Sequence, residues 1–190
     1  MFLQTQRLLL RELAEQDAAA LHEIERDPRV TRYTSFDPRS LEEVRAYIEK
    51  AIRDQSDAQR VFDLAVIPRE DGEERDCDFS PPIGRCGLGI YRPEHREAAL
   101  WYELHPAHWG KGYAVEAASA LLGYAFGPLG LHRVWADCDP RNAASCRVAE
   151  RLGMTLEGRL RENHLLKGEW CSTALYAILE GEWNARSERA

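Results

Sequence analysis

The stretch Tyr102-Glu103-Leu104-His105-Pro106-Ala107-His108-Trp109-Gly110-Lys111-Gly112-Tyr113-Ala114-Val115-Glu116-Ala117 decides how this chain folds. It predicts the end of a strand, a tight glycine loop and the start of a helix. Ala98 to Leu104 is short, apolar and aromatic, and Pro106 has no N–H to give to a sheet ladder. From Gly112 onward Ala114, Ala117, Ala118, Leu121, Leu122 and Ala125 recur at helical spacing, as far as about Phe126. A glycine loop that opens a helix leaves backbone N–H groups pointing out of the helix N-terminus, where the aligned peptide dipoles favour negative charge. Gly110 and Gly112 let the backbone approach a phosphate closely, and Lys111 adds positive charge. Taken alone, Gly-Lys-Gly reads equally well as an ordinary turn with a solvated lysine.

Working outward, Leu131 to Cys138 is the next strand, so strand, helix and strand predict a right-handed parallel crossover. Upstream, Val61 to Ile67 alternates like a strand and Ile83 to Tyr91 is a glycine-containing one. With Ala98 to Leu104 they predict an antiparallel meander. The acidic segment from Pro68 to Pro82 reads as a long exposed hairpin loop, the most mobile part of the chain. Nearer the start, Arg7 to Leu13 is a first strand and Glu15 to about Arg26 a helix, with regular structure broken at Asp27-Pro28 and over Arg32 to Pro38. Ser40, with Glu43 three residues on, caps a second helix through about Ile52. Past the crossover, Asp139 to Asn142 turns into a helix over Ala143 to Leu152 with Gly153 as its C-cap, and strands follow at Thr155 to Asn163 and Thr173 to Leu179. The expectation is one α/β (α+β) domain over residues 1–190.

Composition narrows the function. The chain has 190 residues, 44% hydrophobic, which suits one buried core. No run is long and apolar enough for a membrane span, and the N-terminus lacks a leader pattern, so a cytoplasmic location is expected. The net charge of −7 opposes general nucleic-acid binding and suits an amine-bearing partner. Five cysteines, odd in number and without a Cys-x-x-Cys pair, predict free thiols and neither a disulfide framework nor a metal site.

A second stretch, Asp139-Pro140-Arg141-Asn142-Ala143-Ala144-Ser145-Cys146-Arg147-Val148-Ala149-Glu150-Arg151-Leu152-Gly153-Met154, follows the crossover strand. Together the two stretches resemble the GNAT superfamily of acyl-CoA N-acyltransferases, and within it the RimJ/RimL ribosomal-protein N-acetyltransferase branch. The likeness runs from Thr5-Gln6-Arg7-Leu8-Leu9-Leu10-Arg11 to Tyr176 through Trp183. It implies a mixed, mostly antiparallel sheet with helices on both faces, whose central parallel pair splays to admit CoA. It also implies direct acetyl transfer from acetyl-CoA to an amine, without metal or covalent enzyme intermediate. The superfamily's pyrophosphate loop, Gln/Arg-x-x-Gly-x-Gly/Ala, falls on Trp109 to Ala114 with Trp109 in place of the Gln/Arg. Trp109, Gly110, Lys111, Gly112, Tyr113 and Ala114 are then the cofactor cradle, with Trp109 packed under the loop. Leu104 is implied to offer a backbone N–H to the thioester carbonyl.

For chemistry, an amine must lose a proton before it attacks a thioester, and the departing thiolate needs a proton or a stabilising group. Glu103, beside the reaction point, is the candidate general base if burial raises its pKa, and otherwise a surface carboxylate. Many relatives carry a tyrosine acid at the position of Ala149. Ser145, on the same helix face as Asn142, is read as a CoA contact and candidate acid, or as a cap or packing residue. Asn142 is an N-cap that the resemblance also places on the pantetheine amide. Arg147 and Arg151 reach the nucleotide end of CoA or are simply solvated, and His105 and His108 pack the loop. The acceptor pocket is expected from Tyr33, Thr34, Ser35 and Phe36, the loop before Ile83 and the segment near His164. A peptide N-terminus or a small amine fits as acceptor, a monomer or a homodimer fits as assembly, and the alternative reading is a non-catalytic acyl-CoA-binding module.

Overall fold

The computed structural model describes residues 1–54, 61–69 and 80–187. Most of the expected hairpin loop, with the mobility assigned to it and with Cys77, lies outside the described residues. The elements are Phe2–Gln4 (β1), Leu8–Glu12 (β2), Ala18–Glu25 (α1), Pro28–Thr31 (α2), Leu41–Asp54 (α3), Val61–Pro68 (β3), Gly84–Arg92 (β4) and Glu97–Leu104 (β5). There follow Tyr113–Phe126 (α4), Arg133–Cys138 (β6), Ala143–Arg151 (α5), Thr155–Leu166 (β7), Glu169–Leu179 (β8) and Glu180–Ser187 (α6). The strands join in one open sheet in the order β1-β2-β3-β4-β5-β6-β8-β7. Its β1–β2, β2–β3, β3–β4, β6–β8 and β7–β8 ladders are antiparallel, and its β5–β6 ladder is parallel. This is the mixed, mostly antiparallel α/β sheet expected from the sequence, parallel pair included.

Local chemistry explains the element boundaries. Ser40 and Glu43 form the expected capping box of α3: the Ser40 N–H donates to Glu43 Oε2 (2.7 Å) and the Glu43 N–H to Ser40 Oγ (3.3 Å). Asp27-Pro28 ends α1 as expected and, beyond that expectation, also begins a second short helix. The Asp27 carboxylate accepts the Arg29 N–H (2.8 Å) and Pro28 takes a position where its missing donor costs nothing, so the pair starts α2. Two further elements lie outside the sequence expectation. β1 is too short to show a period. α6 begins where Glu182 accepts the Leu179 N–H (2.9 Å), a cap formed from inside the helix.

The described residues form two compact units, one of those up to Gly89 together with Trp101–Leu121 and one of Ile90–Leu100 together with the described residues from Leu122 onward. In the first, Leu9, Leu13, Leu21, Ile24, Val44, Ile48 and Ile67 make a continuous core from β2, β3, α1 and α3. In the second, Val134, Ala136, Leu152, Met154, Tyr176 and Ile178 are buried.

Gly87 sits where a side chain has no room, since a Cβ there would overlap the Trp101 indole and the Phe62 carbonyl. Gly181 on α6 has nothing within 4 Å of a built Cβ. Gly87→Val is therefore expected to destabilise by about 1–3 kcal/mol through forced repacking. Gly181→Ala, which only reduces the freedom of the unfolded chain, should stabilise by about 0.4–1 kcal/mol. Urea unfolding of both variants checks the pair, and equal effects would contradict the packing argument.

Candidate active site

The loop after β5 is built by local backbone demands. His105 Nδ1 accepts the Ala107 N–H (3.2 Å), which starts a single 3-10 turn over Pro106–His108. Burial, with Lys111 and His105 nearby, holds the His108 imidazole below its usual pKa. Gly110 and Gly112 then adopt φ of 74° and 82°, the left-handed region that side chains disfavour. A Cβ built on Gly110 meets nothing within 4 Å, so the space in front of this backbone is open. Lys111 is exposed and Tyr113 and Ala114 lie half-buried in the first turn of α4. These residues fit a diphosphate: open space, backbone donors and one lysine at a helix start.

Trp109 differs from expectation. It is 48% exposed and does not lie packed beneath the loop; its indole N–H reaches back to the Leu104 carbonyl (2.8 Å). That bond also orients the end of β5. The His105 N–H donates to Ile83 O on the β4 side (2.8 Å), so strand alternation turns both polar groups of Leu104 to the other edge. Along that edge the ladder to β6 covers Glu97–Arg133, Ala98–Val134 and Ala99–Trp135, although β5 runs on to Leu104 and β6 to Cys138.

Glu103 is not a surface carboxylate. It is one arm of a buried cluster around Arg85, whose Nε meets Glu103 Oε1 at 2.7 Å, one terminal nitrogen Asp63 Oδ2 at 2.9 Å and the other Glu25 Oε1 at 3.0 Å. Arg39 meets the second Glu25 oxygen at 3.0 Å, and the Tyr47 hydroxyl donates to Asp63. Arg39 lies 3.9 Å from the Phe36 ring centroid, which ties the expected acceptor loop to the cluster. Within that loop the Thr34 hydroxyl donates to Phe36 O (2.8 Å), Tyr33 is half-buried and Ser35 is exposed.

Three carboxylates share two guanidinium groups here, and the imbalance has a visible consequence. Glu25 is fully buried, and desolvation outweighs its arginine partners, with help from the Glu103 charge and hydrogen bond, pushing its pKa up to about 7. Although burial opposes the charge on Arg85, Glu103 and Asp63 hold that guanidinium ionised.

The second stretch lies in the other unit. Asn142 caps α5 as expected, its side-chain oxygen accepting the Ser145 N–H (3.2 Å), and Gly153 closes the helix at φ 82°. Ser145 is half-buried, while Arg147 and Arg151 are exposed. His164 is exposed on β7. Two thiols meet nearby, Cys138 Sγ and Cys146 Sγ at 3.3 Å. The Tyr176 hydroxyl lies 3.4 Å from Glu150, and burial together with Cys146 pushes its pKa up to about 12.

An open, mostly antiparallel sheet with one parallel pair and its helices is the architecture of the GNAT fold. The chain belongs to the family described as the acetyltransferase (GNAT) domain, whose model matches residues 7–155. It is 35% identical over 184 residues to the uncharacterized N-acetyltransferase YnaD of Bacillus subtilis (strain 168), covering 97% of this chain and 100% of YnaD. The crystal structure of a GNAT family acetyltransferase from Bacillus anthracis matches with a TM-score of 0.82 and 32% identity, covering 95% of this chain and 99% of that one. Spermidine N-acetyltransferase from Vibrio cholerae, solved with CoA and spermine, shares the fold at a TM-score of 0.79 and 23% identity, covering 95% and 99%. The protein is an acetyl-CoA-dependent N-acetyltransferase, with acetyl-CoA as co-substrate. The alternative of a non-catalytic module gives way to this.

Sequence reasoning missed Glu25, Arg39, Tyr47, Asp63 and Arg85. A signal existed, since Asp63 and Arg85 each stand alone inside apolar strands, where a charge needs a buried partner. Because the pKa of Glu25 is raised on folding, its contribution to stability is present below 4.5 and is lost as pH rises toward about 7. Relative to Glu25→Gln, which carries no proton to lose, the wild type should lose roughly 3 kcal/mol across that window. Urea unfolding of both proteins at pH 4.5 and pH 8 measures it, and a pH-independent difference between them would refute the assignment.

Proposed function

We propose that this enzyme acetylates a primary amine, on a peptide N-terminus or a small molecule, with Glu103 as the general base. The observation that carries the reading is the Arg85-centred cluster, which holds Glu103 at the end of β5 next to the cofactor loop and ties it through Glu25 and Arg39 to Phe36. The amine nitrogen attacks the thioester carbonyl, the C–S bond breaks, and the CoA thiolate departs. The Leu104 N–H, on the β5 edge free of the β4 ladder, supports the developing oxyanion. Glu103, held in place by its bond to Arg85 Nε, takes the amine proton. Ser145 serves the departing sulfur, Asn142 the pantetheine amide, and Arg151 the nucleotide end. Trp109 through Ala114 hold the pyrophosphate, and Tyr33, Ser35 and Phe36 face the acceptor.

The RimJ/RimL-like placement, a single functional domain over 1–190, a cytoplasmic location and a monomeric or homodimeric state belong to the same proposal. The name of the Vibrio cholerae relative makes spermidine one natural probe; a peptide with an N-terminal alanine is the other.

Thiol release from acetyl-CoA should be detected with at least one of these two amines. Glu103→Gln should lower kcat by about 10²-fold, the scale of general-base catalysis, while leaving the Kd for CoA within about twofold. Wild-type turnover in Glu103→Gln would remove Glu103 from the base role, and release from neither amine would remove both acceptor classes.

A further inference from the structure

The mechanism above leaves one charged pair at the cradle without a task. Glu116 is the acidic residue in the first turn of α4, directly after the glycine loop. Its carboxylate is mostly buried and fully engaged. Oε1 accepts from the Thr5 hydroxyl (2.6 Å) and the Arg7 N–H (2.8 Å), and Oε2 meets Arg7 Nε (2.7 Å) and a terminal guanidinium nitrogen (2.6 Å). Burial alone would raise its pKa, but the bonds from Thr5 and Arg7 win and keep it low, so it stays ionised. The other terminal nitrogen of Arg7 donates to the Lys111 carbonyl (3.1 Å), and the guanidinium lies 4.9 Å from the Tyr113 ring centroid. It stands 3.5 Å from where a Gly112 Cβ would be. Arg7 therefore touches each side of the loop while remaining half-exposed.

An ionised carboxylate in this turn stabilises the bare helix start but repels an incoming diphosphate. The motif position that carries Gln or Arg in the superfamily is Trp109 here, so the loop's own side chains supply only Lys111 as a cation. We propose that Arg7 is a positioning residue for acetyl-CoA: it neutralises Glu116 and pins the Lys111 carbonyl, so that the cradle presents net positive charge to the pyrophosphate. This rests on reading Gly110 to Ala114 as that cradle. The competing explanation is an ordinary ion pair that braces the fold.

The proposal gives the two single variants different outcomes, whereas a merely bracing ion pair gives them the same one. Acetyl-CoA is titrated calorimetrically into the whole chain as wild type, Arg7→Ala, Glu116→Gln and the double variant, each checked by its melting temperature. Arg7→Ala should weaken binding about tenfold, which corresponds to about 1.4 kcal/mol. Glu116→Gln should bind at least as tightly as wild type, because it removes the repelling charge and frees Arg7. The double variant should recover most of the Arg7→Ala loss. Comparable losses in both single variants, or no loss in Arg7→Ala, would overturn the proposal. Should Arg7→Ala fail to fold, Glu116→Gln decides alone, since weaker binding there overturns the proposal and equal or tighter binding supports it. Lys111→Ala and Gly112→Val test the underlying reading: wild-type affinity in both removes the cradle itself, whereas loss in them with Arg7→Ala unaffected removes only the role of the pair.

Discussion

Arg85 holds together the buried charge network of the first unit. One guanidinium, 5% exposed, is shared by Glu103 from β5, Asp63 from β3 and Glu25 from α1, with Arg39 and Tyr47 closing the ring. A buried cluster of this kind adds little net stability over an apolar one, but removing its central cation strands several charges at once, commonly at about 3–5 kcal/mol. The arrangement fixes the register of separate elements against one another. It also accounts for the position of Glu103, which on an isolated strand would be a solvated carboxylate with no fixed direction.

The cradle and the cluster are assembled by different means. Gly110 and Gly112 are needed for backbone reasons, and the donors they arrange come from consecutive residues. Trp109, at the first position of the loop, secures the Leu104 carbonyl. The cluster depends on side chains that meet only after the sheet has formed. It is therefore sensitive to register in a way the loop is not.

That contrast explains what the sequence disclosed. The strand, glycine loop and helix around Gly110, the capping box at Ser40 and Glu43, and the Asn142 cap were all legible, because each satisfies backbone groups within a few residues. Glu103 was legible as a carboxylate beside the loop. Its partner was not: Arg85 is 18 residues away, and only the β4–β5 register brings the two side chains together. Asp27-Pro28 was legible as the end of one helix but not as the start of the next, which depends on the aspartate accepting the Arg29 N–H. The charges of Asp63 and Arg85 inside apolar strands announced a buried network without saying which residues would complete it.

The contact between the start of the chain and α4 bears on the order of folding. Thr5 and Glu116 are 111 residues apart, with β3, β4 and β5 laid down between them. Closing so long a loop costs entropy that only a largely formed sheet can offset, so this contact belongs late in folding. During synthesis the first strands must wait for α4 to leave the ribosome before Glu116 is covered. The bonds from Arg7 to Glu116 and to the Lys111 carbonyl then arrive at the end of assembly, so the loop that opens α4 is braced only once the folding of this unit is complete.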